Sequence, residues 1–258
     1  MLLFVKYRPD KLTNQISSVA SLGQTDKWLK EVFFKTLASN STPASNTEGS
    51  QPQYSIIFPT PDEIRRSLNG YGSGGSIHMK TQSASQQKQL QYIRPYLRQW
   101  AGDSSSESQS TGEEKRDAGR RRTAPHIKTY IRFSDKMDTI DWAMVTSANL
   151  STQAWGAAVN AQNEVRICSW EIGVVIWPGL FTSNTDTSMK MVPCFKRDYP
   201  KDTMSKDIES TTDVVVGFRM PYDLPLTSYA AHDEPWCATA TYTDPDWLGR
   251  TWDMSDAI

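Results

Sequence analysis

Pro125-His126-Ile127-Lys128-Thr129-Tyr130-Ile131 and, after a short turn, Ala143-Met144-Val145-Thr146-Ser147-Ala148-Asn149-Leu150-Ser151 decide how this chain is read. The first run alternates like a strand. A strand has period two, so His126 and Lys128 project from one face, an imidazole beside an ammonium. The second run is apolar and β-prone through Val145, and it reaches Asn149 and Ser151 just before Gln153-Ala154-Trp155-Gly156, which reads as a helix opening. Asn149 then stands at a strand end, with Ser151 as N-cap and free backbone N–H groups beside it.

Such a corner suits an anion. Its groups donate hydrogen bonds or carry positive charge, and no carboxylate stands among them. Lys128 and Asn149 can hold non-bridging phosphate oxygens, and His126 can move a proton or attack phosphorus. No metal or other cofactor is needed for that assignment. His-x-Lys alone is a weak signal, and the chain carries a second copy, His78-Met79-Lys80, after the glycine-rich Gly72-Ser73-Gly74-Gly75. No Asn-bearing strand-to-helix turn follows that copy, so it reads as an ordinary loop histidine.

The neighbourhood of His126 adds further marks. His126-x-Lys128, Ser147-Ala148-Asn149-Leu150-Ser151 with Ala154-Trp155-Gly156 behind it, and Trp170-Glu171-Ile172-Gly173-Val174 resemble, in order and spacing, the second catalytic motif of the tyrosyl-DNA phosphodiesterases. These are members of the phospholipase D superfamily. Most phospholipase D-like enzymes carry an Asp where this chain has Phe133; the tyrosyl-DNA phosphodiesterases lack it and use a Glu or Gln farther on, the place that Glu171 fits.

Composition sets bounds on function. The 258 residues carry 28 basic and 29 acidic side chains, for a formal net charge of -1. That balance argues against a protein that coats nucleic acid and permits one that grips a single end through a local site. Cys168, Cys194 and Cys237 are three widely spaced cysteines with no Cys-x-x-Cys, which disfavours a zinc site or a disulfide framework and points to buried thiols in a reducing compartment. The segment from Met1 to Asp10 is too short an apolar run for a signal peptide, and no stretch has the length of a membrane span. A soluble, intracellular protein is expected.

Along the chain, Ile16 to Gly23 reads as a short strand breaking into a serine-rich turn, and Thr25 to Leu37 as a helix through Trp28, Leu29, Val32 and Phe33. Residues 39–53 are rich in Ser, Thr, Asn and Pro and read as a mobile loop. Tyr54 to Phe58 is a buried strand, and Thr60-Pro61-Asp62-Glu63 opens a capping-box helix. Ser85 to Trp100 is an amphipathic helix kinked at Pro95 or divided in two there. Residues 101–122 read as a solvated linker or a basic arm brushing DNA. Val165 to Cys168 and Glu171 to Pro178 are apolar on both faces, which suggests a central strand with Glu171 buried inside it. Strands follow at Met191 to Phe195 and Asp213 to Phe218, and Trp236 lines a pocket for tyrosine by stacking or simply packs.

The resemblance spans about Ile16 to Trp252. It implies an α/β fold: one phospholipase D-like carboxy-terminal lobe, a mixed β-sheet flanked by helices on both faces, occupying 1–258 as a single unit. It implies hydrolysis of 3′-phosphotyrosyl DNA adducts left by a topoisomerase, hence DNA repair in the nucleus. His126 matches the histidine that protonates the departing tyrosine oxygen and then activates water. Lys128 and Asn149 match the phosphate clamp, and Glu171 the carboxylate that orients a catalytic imidazole across the lobe interface. Ser17, Ser18 and Ser21 match serines that touch the DNA backbone, with Ser147 and Ser151 beside the phosphate. In the family each of two lobes supplies such a half-site. No first-half motif is found here, so the partner is either a missing amino-terminal lobe or a second subunit, and this half alone is expected to be inactive. A homodimeric phospholipase D-like nuclease or transferase, and a DNA-end-binding lobe without chemistry, are the alternatives.

Overall fold

The computed structural model describes residues 10–38, 52–101, 115–181, 189–200 and 214–253. Of the expected mobile stretches 39–53 and 101–122, residues 39–51 and 102–114 lie outside them. In chain order the strands are β1 (Lys11–Gln15), β2 (Ser18–Val19), β3 (Gln53–Ile57), β4 (His78–Met79), β5 (Leu97–Arg98), β6 (Lys128–Phe133), β7 (Ile140–Thr146), β8 (Gly173–Ile176), β9 (Met189–Cys194) and β10 (Val214–Arg219). The α-helices are α1 (Lys35–Ala38), α2 (Pro61–Arg65), α3 (Ala84–Ile93) and α4 (Thr152–Trp155), with α1 continuing a π-helical stretch Trp28–Phe34.

One mixed sheet runs in the order β10-β9-β7-β6-β1-β3-β5, with β8 also paired to β7. Strands β1 and β3 are parallel, while β1 meets β6, and β6 meets β7, antiparallel. A separate parallel pair joins β2 to β4, Ser18 beside His78 and Val19 beside Met79.

Side-chain alternation divides the core between the two faces of the sheet. On one face Leu12, Ile16, Ile56 and Tyr130 pack against Trp28, Leu29, Phe33, Ile64, Leu90 and Ile93 from the helices. On the other, Ile57, Ile131, Phe133 and Ala143 pack against Trp100, Ala118, Met137, Tyr222 and Leu224. The mixed sheet with helices agrees with the family likeness. Among the described residues the second face is roofed by connecting segments.

Several local expectations hold for the physical reason given. Thr60 and Glu63 form a reciprocal capping box, Glu63 N donating to Thr60 Oγ1 at 3.3 Å and Thr60 N to Glu63 Oε2 at 2.8 Å. The helix expected over Ser85 to Trp100 is shorter: it ends at Ile93, a single 3-10 turn carries Pro95, and Leu97 and Arg98 belong to a strand rather than to a second helical part.

Others are corrected. The run Gly173–Ile176 is an edge strand rather than a central one, exposed along most of its length, and Val165 to Cys168 forms no strand. The first sheet strand is Lys11–Gln15, upstream of the expected Ile16 start. The described part of the basic arm is packed: Arg116 donates to the Met137 carbonyl at 2.9 Å, Arg121 pairs with Asp223 at 2.6 Å, and Arg122 lies over the Trp247 ring. The cysteines are free thiols, and Cys168 is exposed rather than buried.

Trp236 is fully buried and so presents no face to a ligand. It stacks with Tyr71 and Tyr242, meets Trp252 edge-on, and its indole N–H donates to the Gly74 carbonyl at 2.9 Å. A Cβ on Gly74 would stand 2.3 Å from Trp236 Cζ2, so glycine is required for that approach. Trp236→Ala is therefore expected to cost about 3–5 kcal/mol and Gly74→Ala about 1–3 kcal/mol in denaturant unfolding. A loss below about 0.5 kcal/mol, the scale of an ordinary surface change, would show that this aromatic cluster does not hold the carboxy-terminal segment.

Candidate active site

The site is built where β6 begins, β7 ends and the β1–β2 turn passes. Lys128 is the first residue of β6 and pairs with Thr146 of β7, and pairing stops there, so His126 lies just outside the strand. The two side chains nevertheless meet as the alternation predicts. Lys128 Nζ lies 3.4 Å from both Nδ1 and Nε2 of His126 and donates to the His126 carbonyl at 2.6 Å.

Lys128 is buried while His126 is exposed. Burial lowers the lysine pKa, and the charge of Glu171 opposes that shift. The imidazole pKa is also lowered, first by burial, then by the positive charges of Lys128 and of His78. Among the described residues no carboxylate pairs with Lys128. His78 of the second His-x-Lys copy, read as an ordinary loop histidine, stands in β4 beside Ser18.

Asn149 is fixed by its carbonyl oxygen. Its Oδ1 accepts from Ser17 N at 3.0 Å, Ser18 N at 2.9 Å and Ser17 Oγ at 3.3 Å. That assigns the amide orientation, because the acceptor is spent on donors and the Nδ2 group is left to donate elsewhere. The backbone around it is braced as well. Tyr130 Oη donates to the Ala148 carbonyl at 2.9 Å, and Trp155 Nε1 to the Asn149 carbonyl at 2.9 Å. Leu150 bridges Val19, and Ala20 N donates to the Leu150 carbonyl at 3.1 Å.

The serines divide by task. Ser151 is the N-cap of α4, its hydroxyl accepting from Ala154 N at 3.1 Å. Ser17 is buried and both its donors serve Asn149, so its part is to position rather than to touch DNA. Ser18 and Ser21 line an open cleft of about 350 Å³ together with His78 and Lys80. Ser147 donates to a Glu171 carboxylate oxygen at 2.5 Å and accepts from Ile172 N at 3.0 Å. Glu171 is exposed, so the argument from a buried strand fails; Ser147 and the Ile172 amide hold the segment instead.

A second cleft of about 340 Å³ is lined by His126 itself with Gln15, Arg120, Ile127, Arg219 and Met220 among others. Among the described residues no group of three or more His, Cys, Asp or Glu side chains is placed to hold a metal ion. Sequence reasoning missed the bracing by Tyr130 and Trp155. The available signal was that Tyr130 alternates with Lys128 on one face of β6.

Two measurements test this geometry. Asn149→Ala removes the acceptor shared by Ser17 and Ser18, and their amides should lose hydrogen-exchange protection, whereas Asn149→Asp should keep it; equal protection in all three proteins contradicts the pinning. Lys128→Met removes a positive charge from beside the imidazole, so the His126 pKa should rise in an NMR titration. An unchanged or lower value contradicts the electrostatic contact.

Comparison with known proteins agrees with the motif reading. The family model for tyrosyl-DNA phosphodiesterase matches residues 5–230. A probable tyrosyl-DNA phosphodiesterase of Schizosaccharomyces pombe is 32% identical over 254 residues, 94% of this chain and 42% of the relative. Tyrosyl-DNA phosphodiesterase 1 of Arabidopsis thaliana is 29% identical over 96% of this chain and 39% of its own length. The crystal structure of the yeast tyrosyl-DNA phosphodiesterase superimposes with a TM-score of 0.54 at 21% identity, over 90% of this chain and 50% of that one. This chain thus spans less than half the length of those curated relatives and half that of the solved structure. By the motif around His126 and by the family model that matches most of its length, the chain belongs to the tyrosyl-DNA phosphodiesterase family.

Proposed function

We propose that the chain is the carboxy-terminal lobe of a tyrosyl-DNA phosphodiesterase and supplies the acid/base half of a site that hydrolyses 3′-phosphotyrosyl DNA. The observation that carries this reading is the contact of His126 with Lys128 beside an Asn149 whose carbonyl is spent and whose amide donors are not. A tetrahedral phosphate ester placed there meets an ammonium and an amide N–H as its charge builds.

In this reading a nucleophile from the other lobe attacks phosphorus while the P–O bond to tyrosine breaks, and His126 gives its proton to the departing oxygen. The neutral ring then takes a proton from the water that releases the enzyme, leaving a 3′-phosphate. The cleft by Arg120, Ile127 and Arg219 suits the departing tyrosine, since the acid must reach that oxygen. Glu171, exposed and gripped through one oxygen by Ser147, faces outward and suits an imidazole brought by the partner lobe. Work on topoisomerase adducts implies DNA repair in the nucleus.

The partner lobe has a ready surface. Trp170, Ile172, Val174, Val175 and Trp177 are all exposed before, along and just after β8, whose outer edge is unpaired among the described residues. So much bare apolar surface on one edge marks an interface. A second copy is the other occupant this edge admits, and a strict monomer in sedimentation at working concentration removes that reading.

The test is a fusion of this chain behind the amino-terminal portion of the Schizosaccharomyces pombe relative, assayed on a 3′-phosphotyrosyl oligonucleotide. The fusion should turn over, the chain alone should not, and His126→Ala in the fusion should lose about 10²–10⁴-fold in rate. Full activity after that substitution overturns the assignment.

A further inference from the structure

The cleft that His126 lines carries two features with no part in the proposed chemistry, a buried amide and an unpaired guanidinium. Gln15 ends β1 opposite Thr129 of β6. By the two-residue period both lie on the sheet face of Ile131 and Phe133, away from Leu12 and Tyr130. Gln15 is 1% exposed yet lines the cleft, and its Oε1 has no hydrogen-bond partner; the Thr129 hydroxyl opposite has none either. Buried polar atoms are bonded in folded proteins, so an acceptor left open at a cleft is placed for a donor that arrives with a ligand. The charge of the cleft is one-sided as well. Arg120 and Arg219 line it and no carboxylate does. Arg219 Nη1 lies 3.1 Å from Asp198 Oδ1, whereas Arg120 is exposed and has no ion-pair partner among the described residues. Ile127, Met220 and Pro221 give the same cleft an apolar side.

We propose that Arg120 and Gln15 are specificity-determining residues for the amino-acid part of the leaving group: Arg120 pairs with the α-carboxylate of the departing tyrosine, and Gln15 Oε1 accepts its backbone N–H. The inference rests on reading this cleft as the place of the departing tyrosine. A guanidinium presents a fork of N–H donors that matches a carboxylate, and a buried amide oxygen answers one N–H and orients it. A plain phenol leaves both groups unused. The site therefore selects what leaves by its backbone and charge as well as by its ring, and an adduct whose tyrosine ends in a free carboxylate is held better than a neutral one.

The experiment measures binding to this chain of three phosphate esters: N-acetyl-O-phosphotyrosine, its neutral α-carboxamide, and phenyl phosphate. The first two differ only in the carboxylate, and the third lacks both the carboxylate and the amide N–H. The native chain should prefer the carboxylate over the carboxamide by about two- to fivefold, the range of an exposed ion pair. Arg120→Ala should bring those two ligands to equal affinity, and Arg120→Lys should restore part of the difference. Gln15→Met should weaken both N-acetyl ligands more than phenyl phosphate. Lys128→Ala should weaken all three. If the native chain binds carboxylate and carboxamide alike, or if Arg120→Ala keeps the preference, while Lys128→Ala weakens all three, the subsite is wrong and the reading of the main site stands. If the native chain binds none of the three, both fall together. Arg120 is exposed, so its replacement is not expected to disturb folding.

Discussion

A single amide oxygen assembles the candidate site. Asn149 lies in the turn between β7 and α4, Ser17 in the turn between β1 and β2 and Ser18 at the start of β2, and they are 132 and 131 residues apart from it in the chain. Three donors on one acceptor tie these turns together, and everything at the site is positioned from that knot. Lys128 enters it from β6, whose neighbours are β1 and β7, so the strands that carry the two turns also hold the lysine between them. Buried hydrogen bonds of this kind are modest individually, but breaking one leaves an unsatisfied group behind. The site is rigid because its connectors double as sheet strands.

The sequence was most legible where chemistry and local geometry demand the same residue. Ser151 had to be a hydroxyl to cap α4, Thr60 and Glu63 had to face each other across a helix start, and His126 and Lys128 had to share a side of an extended chain. It was least legible in β1. Lys11-Leu12-Thr13-Asn14-Gln15 looks like a surface segment, yet it is an inner strand of the sheet with Thr13, Asn14 and Gln15 buried. Local hydrophobicity reports what a strand would be in isolation, while its place between β3 and β6 is a tertiary fact. The same blindness left Trp236 between lining a pocket and simply packing, because an indole's sequence context does not say which of its faces is already covered.

The opposite error occurred at β8. Val174, Val175 and Ile176 read as a core strand because they are apolar on both sides, and within this chain they are mostly exposed. The pattern was sound, and the burial it calls for is absent from the described part of this chain. Glu171 shows the same logic from the polar side: a carboxylate in an apolar run, fixed by one serine and turned outward. Both features make sense as parts of a surface that meets something else, in keeping with a chain that spans 42% of its Schizosaccharomyces pombe relative.

An unpaired strand edge with tryptophans at either end is also a hazard. Backbone N–H and C=O groups left open in a flat apolar ribbon template further strands, and here Trp170 and Trp177 flank the opening. A lobe of this shape would be short-lived in a crowded cell unless covered soon after synthesis, because chaperones and proteases sort chains by such surfaces. Under the function proposed above, a partner seated on this ribbon would also hide the signal for disposal, which would tie abundance to assembly.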